Sequence, residues 1–92
     1  YRAQKLVLAA WPVSQKELWT SGGQVMSFIS FEDESALYET VFFPDVYRQY
    51  GQLLSPGRAQ EGSGFGRPLL LLARLALDEG VPILEAEALR PL

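Results

Sequence analysis

The chain is predicted to be a small all-β barrel with one helix. Residues 25–32 and 37–43 read as two half-buried strands joined by a short acidic turn. A helical spacing of apolar residues begins directly after them at Pro44, and further strand-like segments lie on both sides. Two strands, then a helix, with more strand before and after, is the order of a five-stranded Greek-key barrel of the OB type, with its one helix between strands 3 and 4.

The first strand is expected to be long and bent. It runs from Lys5 to Val13 and can resume through residues 15–19. Its apolar residues fall on both parities, which predicts burial on both sides for part of its length and places Trp11 in the core. Pro12 cannot donate to a strand ladder, so it marks a bend or bulge.

The remaining elements follow in order. Gly22 and Gly23 lie in a turn, where glycine tolerates positive φ. Strands two to five are predicted at residues 25–32, 37–43, 69–77 and 81–88, with a tight hairpin at residues 78–80. Residues 58–67, rich in Gly, Ser, Gln and Glu, are predicted to form a mobile loop.

The helix is predicted to begin at Pro44 with Asp45 in its first turn. Gly51 weakens it, and a Ser-Pro-Gly run at residues 55–57 ends the element. Its apolar stripe would close one end of the barrel. The stripe consists of Val46, Tyr47, Tyr50, Leu53 and Leu54.

Composition restricts the function classes. The 92 residues suffice for one domain, and 48% hydrophobic residues favour a folded core. The absence of cysteine and histidine excludes a disulfide framework, a thiolate metal site and a histidine base, and favours a reducing, cytoplasmic location. No segment is apolar enough to span a bilayer. A net charge of −3 with scattered bases predicts weak binding to any polynucleotide.

Four short motifs resemble one protein family. The run Gly-Gln-Val-Met-Ser-Phe-Ile-Ser-Phe-Glu-Asp-Glu at residues 23–34 leads to Tyr-Glu-Thr-Val-Phe-Phe-Pro-Asp-Val-Tyr at residues 38–47. Gly-Arg-Pro at 66–68 and Asp-Glu-Gly at 78–80 follow. Together they resemble the OB domain near the C-terminal end of the alpha subunit of bacterial DNA polymerase III and its error-prone, C-family relatives. The central motif is also similar to the anticodon-binding OB domains of class II aminoacyl-tRNA synthetases.

This resemblance implies that residues 1–92 are one OB-type domain excised from a longer polymerase chain, which also fits a start at Tyr1 rather than methionine. It implies an accessory role: weak contact with single-stranded template DNA, beside other domains of the parent polymerase, by a monomeric domain without cofactor or membrane partner. The alternative is a protein-docking module that does not grip DNA. A tRNA-anticodon domain is the third possibility. The family's turn after strand one is often basic, whereas here only Lys16 precedes it.

Candidate nucleic-acid-binding residues follow from the strands and from the resemblance. Alternation alone leaves open which side of strand two faces outward, because both sides carry an aromatic. The synthetase resemblance suggests that Phe28 faces outward, where it would stack on a base or pack beneath a neighbouring domain. Glu39 would read a base or hydrogen-bond a nearby hydroxyl or amide. The full candidate set is Lys16, Trp19, Met26, Phe28, Ser30, Glu39 and Arg74.

No catalytic or metal site is predicted for this domain. The acidic run at residues 32–34 resembles the clustered carboxylates that hold magnesium in polymerases. Adjacent residues at a strand end point in different directions, however, and the run lies where a hairpin needs polar residues. In the family, the catalytic carboxylates belong to a separate palm domain. The sequence thus predicts a binding domain of a DNA-directed DNA polymerase that is itself inactive.

Overall fold

The computed structural model describes residues 4–54 and 67–92. Most of the loop predicted at residues 58–67 lies outside the described residues. The described elements occur in the order strand, strand, strand, helix, 3-10 helix, strand, strand. They are β1 (Gln4–Trp19), β2 (Val25–Glu32), β3 (Leu37–Phe42), α1 (Pro44–Tyr50), a 3-10 helix (Gly51–Leu54), β4 (Leu69–Asp78) and β5 (Val81–Pro91).

The five strands form a closed barrel in the order β1-β2-β3-β5-β4. Closure depends on β1, whose N-terminal half pairs with β4 and whose C-terminal half pairs with β2. The β3–β5 pair is parallel, and the other pairs are antiparallel. The predicted fold class is therefore confirmed as an all-β, OB-like barrel with one helix between β3 and β4.

The bend predicted at Pro12 is present as a register shift between Pro12 and Ser14. The prediction that β1 is buried on both sides is wrong, and so is the placement of Trp11 in the core. Ala10 and Pro12 occupy the inward positions, so Trp11 points outward and is 42% exposed. Val7 shares that outward side and is 65% exposed. Apolar residues on the outer side of β1 therefore form surface.

The core fills the barrel with side chains from every strand. Its centre is a row of aromatic rings in which Phe31 stacks on Tyr38 at 6.3 Å and on Phe42 at 6.4 Å. Each such pair contributes about 0.5–1.5 kcal/mol beyond the burial of its area. Thr40 is buried among them, and its hydroxyl donates to the carbonyl of Ile29 at 3.0 Å. The buried Thr40 hydroxyl is therefore satisfied, whereas the buried Tyr38 hydroxyl has no hydrogen-bond partner among the described residues.

Helix α1 closes one end of the barrel, as its apolar stripe predicts. Val46, Tyr47, Tyr50 and Leu53 pack against the core, and Leu54 is fully buried within it. The Tyr47 hydroxyl donates to Glu17 Oε2 and accepts from Gln15 Nε2, both at 2.5 Å. These bonds tie α1 to β1. Neither helical segment of the described residues is long and apolar enough to cross a membrane.

Four strand ends differ from the sequence prediction. β1 begins at Gln4, one residue before the predicted Lys5. β5 continues to Pro91, three residues beyond the predicted end at Ala88, because Pro91 pairs with Leu69 at the start of β4. β4 runs one residue further, to Asp78, and β3 ends one residue earlier, at Phe42, because Phe43 caps α1. Strand pairing and the cap of α1 decide these ends.

Two turns depend on left-handed backbone. Gly23, in the β1–β2 turn, has φ +84°, whereas Gly22 is outside the positive-φ region. In the β4–β5 turn Glu79 has φ +54° and Gly80 has φ +84°, the pattern of a two-residue type I′ turn. The predicted hairpin at residues 78–80 is thus confirmed.

Replacing Gly23 by alanine should lower the free energy of unfolding by about 1 kcal/mol, because a Cβ disfavours positive φ. The added Cβ meets nothing within 4 Å, so the cost is conformational. Gly22→Ala is the matched control, since its Cβ meets only the Thr20 hydroxyl at 3.9 Å. Urea unfolding measures both variants, and equal losses would contradict the assignment.

Stability should fall as the pH rises from 10 to about 12, because burial, followed by the Glu17 carboxylate, raises the pKa of Tyr47 from 10.0 to about 12. The folded state holds this proton more tightly, so the contribution is complete below pH 10 and is lost as the pH approaches 12. Tyr47→Phe should flatten this dependence. Burial also raises the pKa of Tyr38, so part of the pH dependence of stability should remain in both proteins.

The measurement is the free energy of unfolding of wild type and Tyr47→Phe, below pH 10 and near pH 12. The difference between the two proteins should shrink at the higher pH. A difference that stays constant would show that the proton of Tyr47 is held equally in both states.

Candidate nucleic-acid interface

Strand β2 presents Phe28 to the outside of the barrel, as expected. Ser27, Ile29 and Phe31 are fully buried, while Phe28 and its neighbours on the same side are partly exposed. The alternation is set by the core, because Ile29 and Phe31 fill the barrel and leave Phe28 on the outer side. An aromatic ring is thus available on the surface of the central strand.

The antiparallel register places Lys16 of β1 directly opposite Phe28. Directly opposed residues hold their Cβ atoms about 4.5–5.5 Å apart on the same side of the sheet. Lys16 is exposed and makes no ion pair with any residue in the described part of the chain. A ring and a free ammonium group therefore lie side by side.

The surrounding outer residues complete a small patch, which we term the Phe28 face. Met26 lies opposite Leu18, and Ser30 lies between Ser14 and Glu39. The patch is polar at one end and apolar at the other. The Phe28 face consists of Ser14, Lys16, Leu18, Met26, Phe28, Ser30, Glu39 and Val41.

Glu39 is exposed on β3 at the polar end of this face. Its carboxylate makes no hydrogen bond with any described residue, contrary to the alternative that it bonds a nearby hydroxyl or amide. The neighbouring Ser30 hydroxyl lies opposite it in the ladder. A carboxylate acceptor and a hydroxyl are thus both presented to solvent beside the ring of Phe28.

Arg74 lies on the same outer row of the barrel, but it is engaged in ion pairs. Glu85 pairs across the sheet with both Val41 of β3 and Arg74 of β4. Since strands are about 4.8 Å apart, three strand spacings separate Arg74 from Phe28, or about 14 Å along the sheet. The Arg74 guanidinium donates to Glu85 Oε1 at 2.9 Å, and its Nε lies 3.7 Å from Glu87 Oε2.

Trp19 does not belong to the Phe28 face. It lies opposite Val25, on the parity of β1 that points toward the barrel interior, just beyond the barrel end. It is 72% exposed and borders a cleft of 490 Å³ shared with Pro44, Tyr47 and Arg48 of α1. The structure therefore separates the predicted residues into a group around Phe28, an arginine held in ion pairs on β4, and a separate tryptophan at the helical end.

The acidic turn between β2 and β3 is structural. One oxygen of Asp33, Oδ1, accepts hydrogen bonds from the amides of Ser35 and Ala36 at 2.8 and 2.9 Å, and from the Ser35 hydroxyl at 3.0 Å. These bonds, led by the Ser35 amide, lower the pKa of Asp33. Across residues 4–54 and 67–92, no three acidic side chains come close enough to hold a metal ion.

A second outer surface, which sequence reasoning missed, lies on β1, β4 and β5. It holds a shallow apolar cleft of 380 Å³ with the exposed Arg90 at its rim. The sequence signal for this surface is the set of apolar residues on both parities of β1, from which the sequence predicts burial. We term this surface the Val7 face; its cleft is lined by Val7, Tyr50, Leu70, Leu72, Ala88, Leu89 and Arg90.

Comparison with known proteins bears on the polymerase resemblance. No protein-family model matches the chain. The chain is 41% identical over 54 residues to an error-prone DNA polymerase of Symbiobacterium thermophilum, a stretch that is 58% of this chain. The matched stretch spans only about 5% of the length of that relative. Over those 54 residues the resemblance predicted from the sequence is confirmed: the chain is similar to part of an error-prone DNA polymerase.

Proposed function

We propose that this chain is an accessory, non-catalytic domain of a bacterial DNA polymerase of the polymerase III alpha-subunit type, and that its Phe28 face weakly contacts single-stranded template DNA. The observation that carries the proposal is the outward ring of Phe28 directly opposite Lys16, which forms no ion pair with a described residue. The similarity to an error-prone DNA polymerase supplies the polymerase context.

A ring and a neighbouring cation match two parts of a single strand. Every base has a π-face, and stacking on an aromatic side chain contributes about 1–3 kcal/mol per base. The ammonium group of Lys16 would neutralise one phosphate beside the stacked base. Ser30 and Glu39 would offer hydrogen bonds to the edge of a base. A duplex hides its base faces, so the proposed preference is for single strands.

Electrostatics make the proposed contact weak. The chain has a net charge of −3, and among the described residues Lys5, Arg48 and Arg74 are held by carboxylates. With only one or two cations on or near the Phe28 face, the dissociation constant should be roughly 10 μM to 1 mM at physiological salt. The slope of log K against log [salt] should be shallow, about −0.7 to −1.4, because each phosphate neutralised on a single strand contributes about −0.7.

Phe28→Leu should weaken binding of a short oligothymidine about tenfold, because it keeps apolar bulk and removes the π-face. NMR titration at two salt concentrations measures this, with wild-type shifts expected on β2 and β3. Leu77→Ala is the control: this residue is 52% exposed beside the β4–β5 turn, away from the Phe28 face. It should leave the affinity unchanged.

Trp19→Leu distinguishes the two aromatic positions. If the strand binds at the barrel end, Trp19→Leu will weaken binding while Phe28→Leu will not, and the Phe28 face is then the wrong assignment. If no peak on β2 or β3 moves at millimolar oligonucleotide, the DNA-binding proposal fails for this domain.

The exposed apolar surface favours a second candidate, a docking module. Val7 is 65% exposed and borders the cleft of the Val7 face, whose floor includes Leu70, Leu72 and Ala88. Apolar patches of this kind mark contact surfaces. We propose that another domain of the parent polymerase covers this face. The two candidates are compatible, since each uses a different outer side of the barrel.

Cysteine labelling tests this docking proposal, because the chain has no cysteine of its own. Val7→Cys should react rapidly with a maleimide in the 92-residue chain and be protected in the longer polymerase that contains it. Lys16→Cys is the control and should react in both, as mass spectrometry of the labelled peptides can show. Equal reactivity of Val7→Cys in both proteins would exclude docking at this face.

A further inference from the structure

A four-residue ion network crosses β1, β4 and β5 at the edge of the predicted interface. The Lys5 ammonium lies 2.8 Å from Glu87 Oε1, while Arg74 contacts Glu85 and Glu87 at 2.9 and 3.7 Å. The side chains of Arg74, Glu85 and Glu87 are only 38%, 26% and 28% exposed. Water therefore screens this network less than it screens the exposed pair of Arg48 and Asp45.

The two cations and two carboxylates of the network cancel one another. Arg74 lies on the outer row that also contains Phe28 and Lys16, because Glu85 pairs with both Val41 and Arg74. A single strand crossing the barrel over Phe28 and continuing toward β4 would therefore pass over Arg74. It would also pass over Glu85, whose carboxylate repels phosphate.

We propose that Glu85 and Glu87 restrain Arg74 and so set the low affinity of the Phe28 face for single-stranded DNA, an inference that rests on the proposed function. A phosphate that binds Arg74 must displace a carboxylate, so one charge-assisted pair replaces another with little net gain. The network thus prevents Arg74 from attracting a polyanion. Removing either carboxylate should make Arg74 a productive phosphate ligand.

The central variant is Glu85→Gln, which keeps the shape of the side chain and removes its charge. It should raise affinity for oligothymidine about fivefold and steepen the salt slope by about 0.7, the value for one more phosphate contact on a single strand. NMR titration at two salt concentrations measures both quantities. Glu87→Gln should act in the same direction, and it serves as the second variant if Glu85→Gln does not fold.

Two further variants separate this mechanism from a general charge effect. Asp45→Asn removes the same charge and also releases an arginine, Arg48, from a contact of 2.6 Å, but it does so on α1. It should change affinity less than about twofold. In the wild-type background, Arg74→Gln should hardly change the affinity for oligothymidine. In the double variant with Glu85→Gln, it should abolish the increase in affinity that Glu85→Gln causes.

The outcomes distinguish this inference from the proposed function. If wild type binds through the Phe28 face and neither Glu85→Gln nor Glu87→Gln raises affinity, the restraint is wrong and the proposed function stands. If Arg74→Gln alone weakens binding severalfold, Arg74 is already a phosphate ligand and the restraint is also wrong. If neither wild type nor the charge variants shift peaks on β2 and β3, both proposals fail.

Discussion

The pairing of β1 with both β2 and β4 is the constraint on which the rest of this structure depends. One strand of 16 residues can join both neighbours only if it bends, and the register shift between Pro12 and Ser14 supplies that bend. Proline suits the position because it cannot donate to the ladder. Closure then decides which side of every strand is interior, since a slip by one residue would exchange the two sides.

That closure divides the barrel wall into surfaces of different chemistry. On β1, β2 and β3 it presents Phe28 beside Lys16, in a setting that includes hydroxyl and carboxylate groups. On β1, β4 and β5 it presents an apolar cleft. The same long strand contributes to both surfaces through its two halves. The proposed contact with single-stranded DNA and the proposed docking contact therefore use different sides of one small barrel.

The positive charge available at the surface depends on which bases form ion pairs, more than on how many bases the chain has. The chain carries eight bases, yet Arg74 and Lys5 are neutralised by the glutamates of β5. Lys16, in contrast, has no acidic partner among the described residues. The number of basic residues therefore overestimates how many cations are available to bind a phosphate. The cations that remain available are those whose cross-strand neighbours are uncharged. For Lys16 that neighbour is Phe28.

Residue patterns were sufficient to predict the fold class, both ends of β2, the helix start at Pro44 and the hairpin at residues 78–80. These features depend on local periodicity and turn chemistry, which neighbouring residues carry. The outward side of Phe28 needed the family resemblance as well, because both sides of β2 carry an aromatic. Only the tertiary structure decided that Trp11 is exposed, that Trp19 is separate from Phe28 and that Arg74 is held by carboxylates. Each of these features depends on which strands become neighbours in the closed barrel. Partners up to 82 residues apart, such as Lys5 and Glu87, leave no local pattern in the sequence.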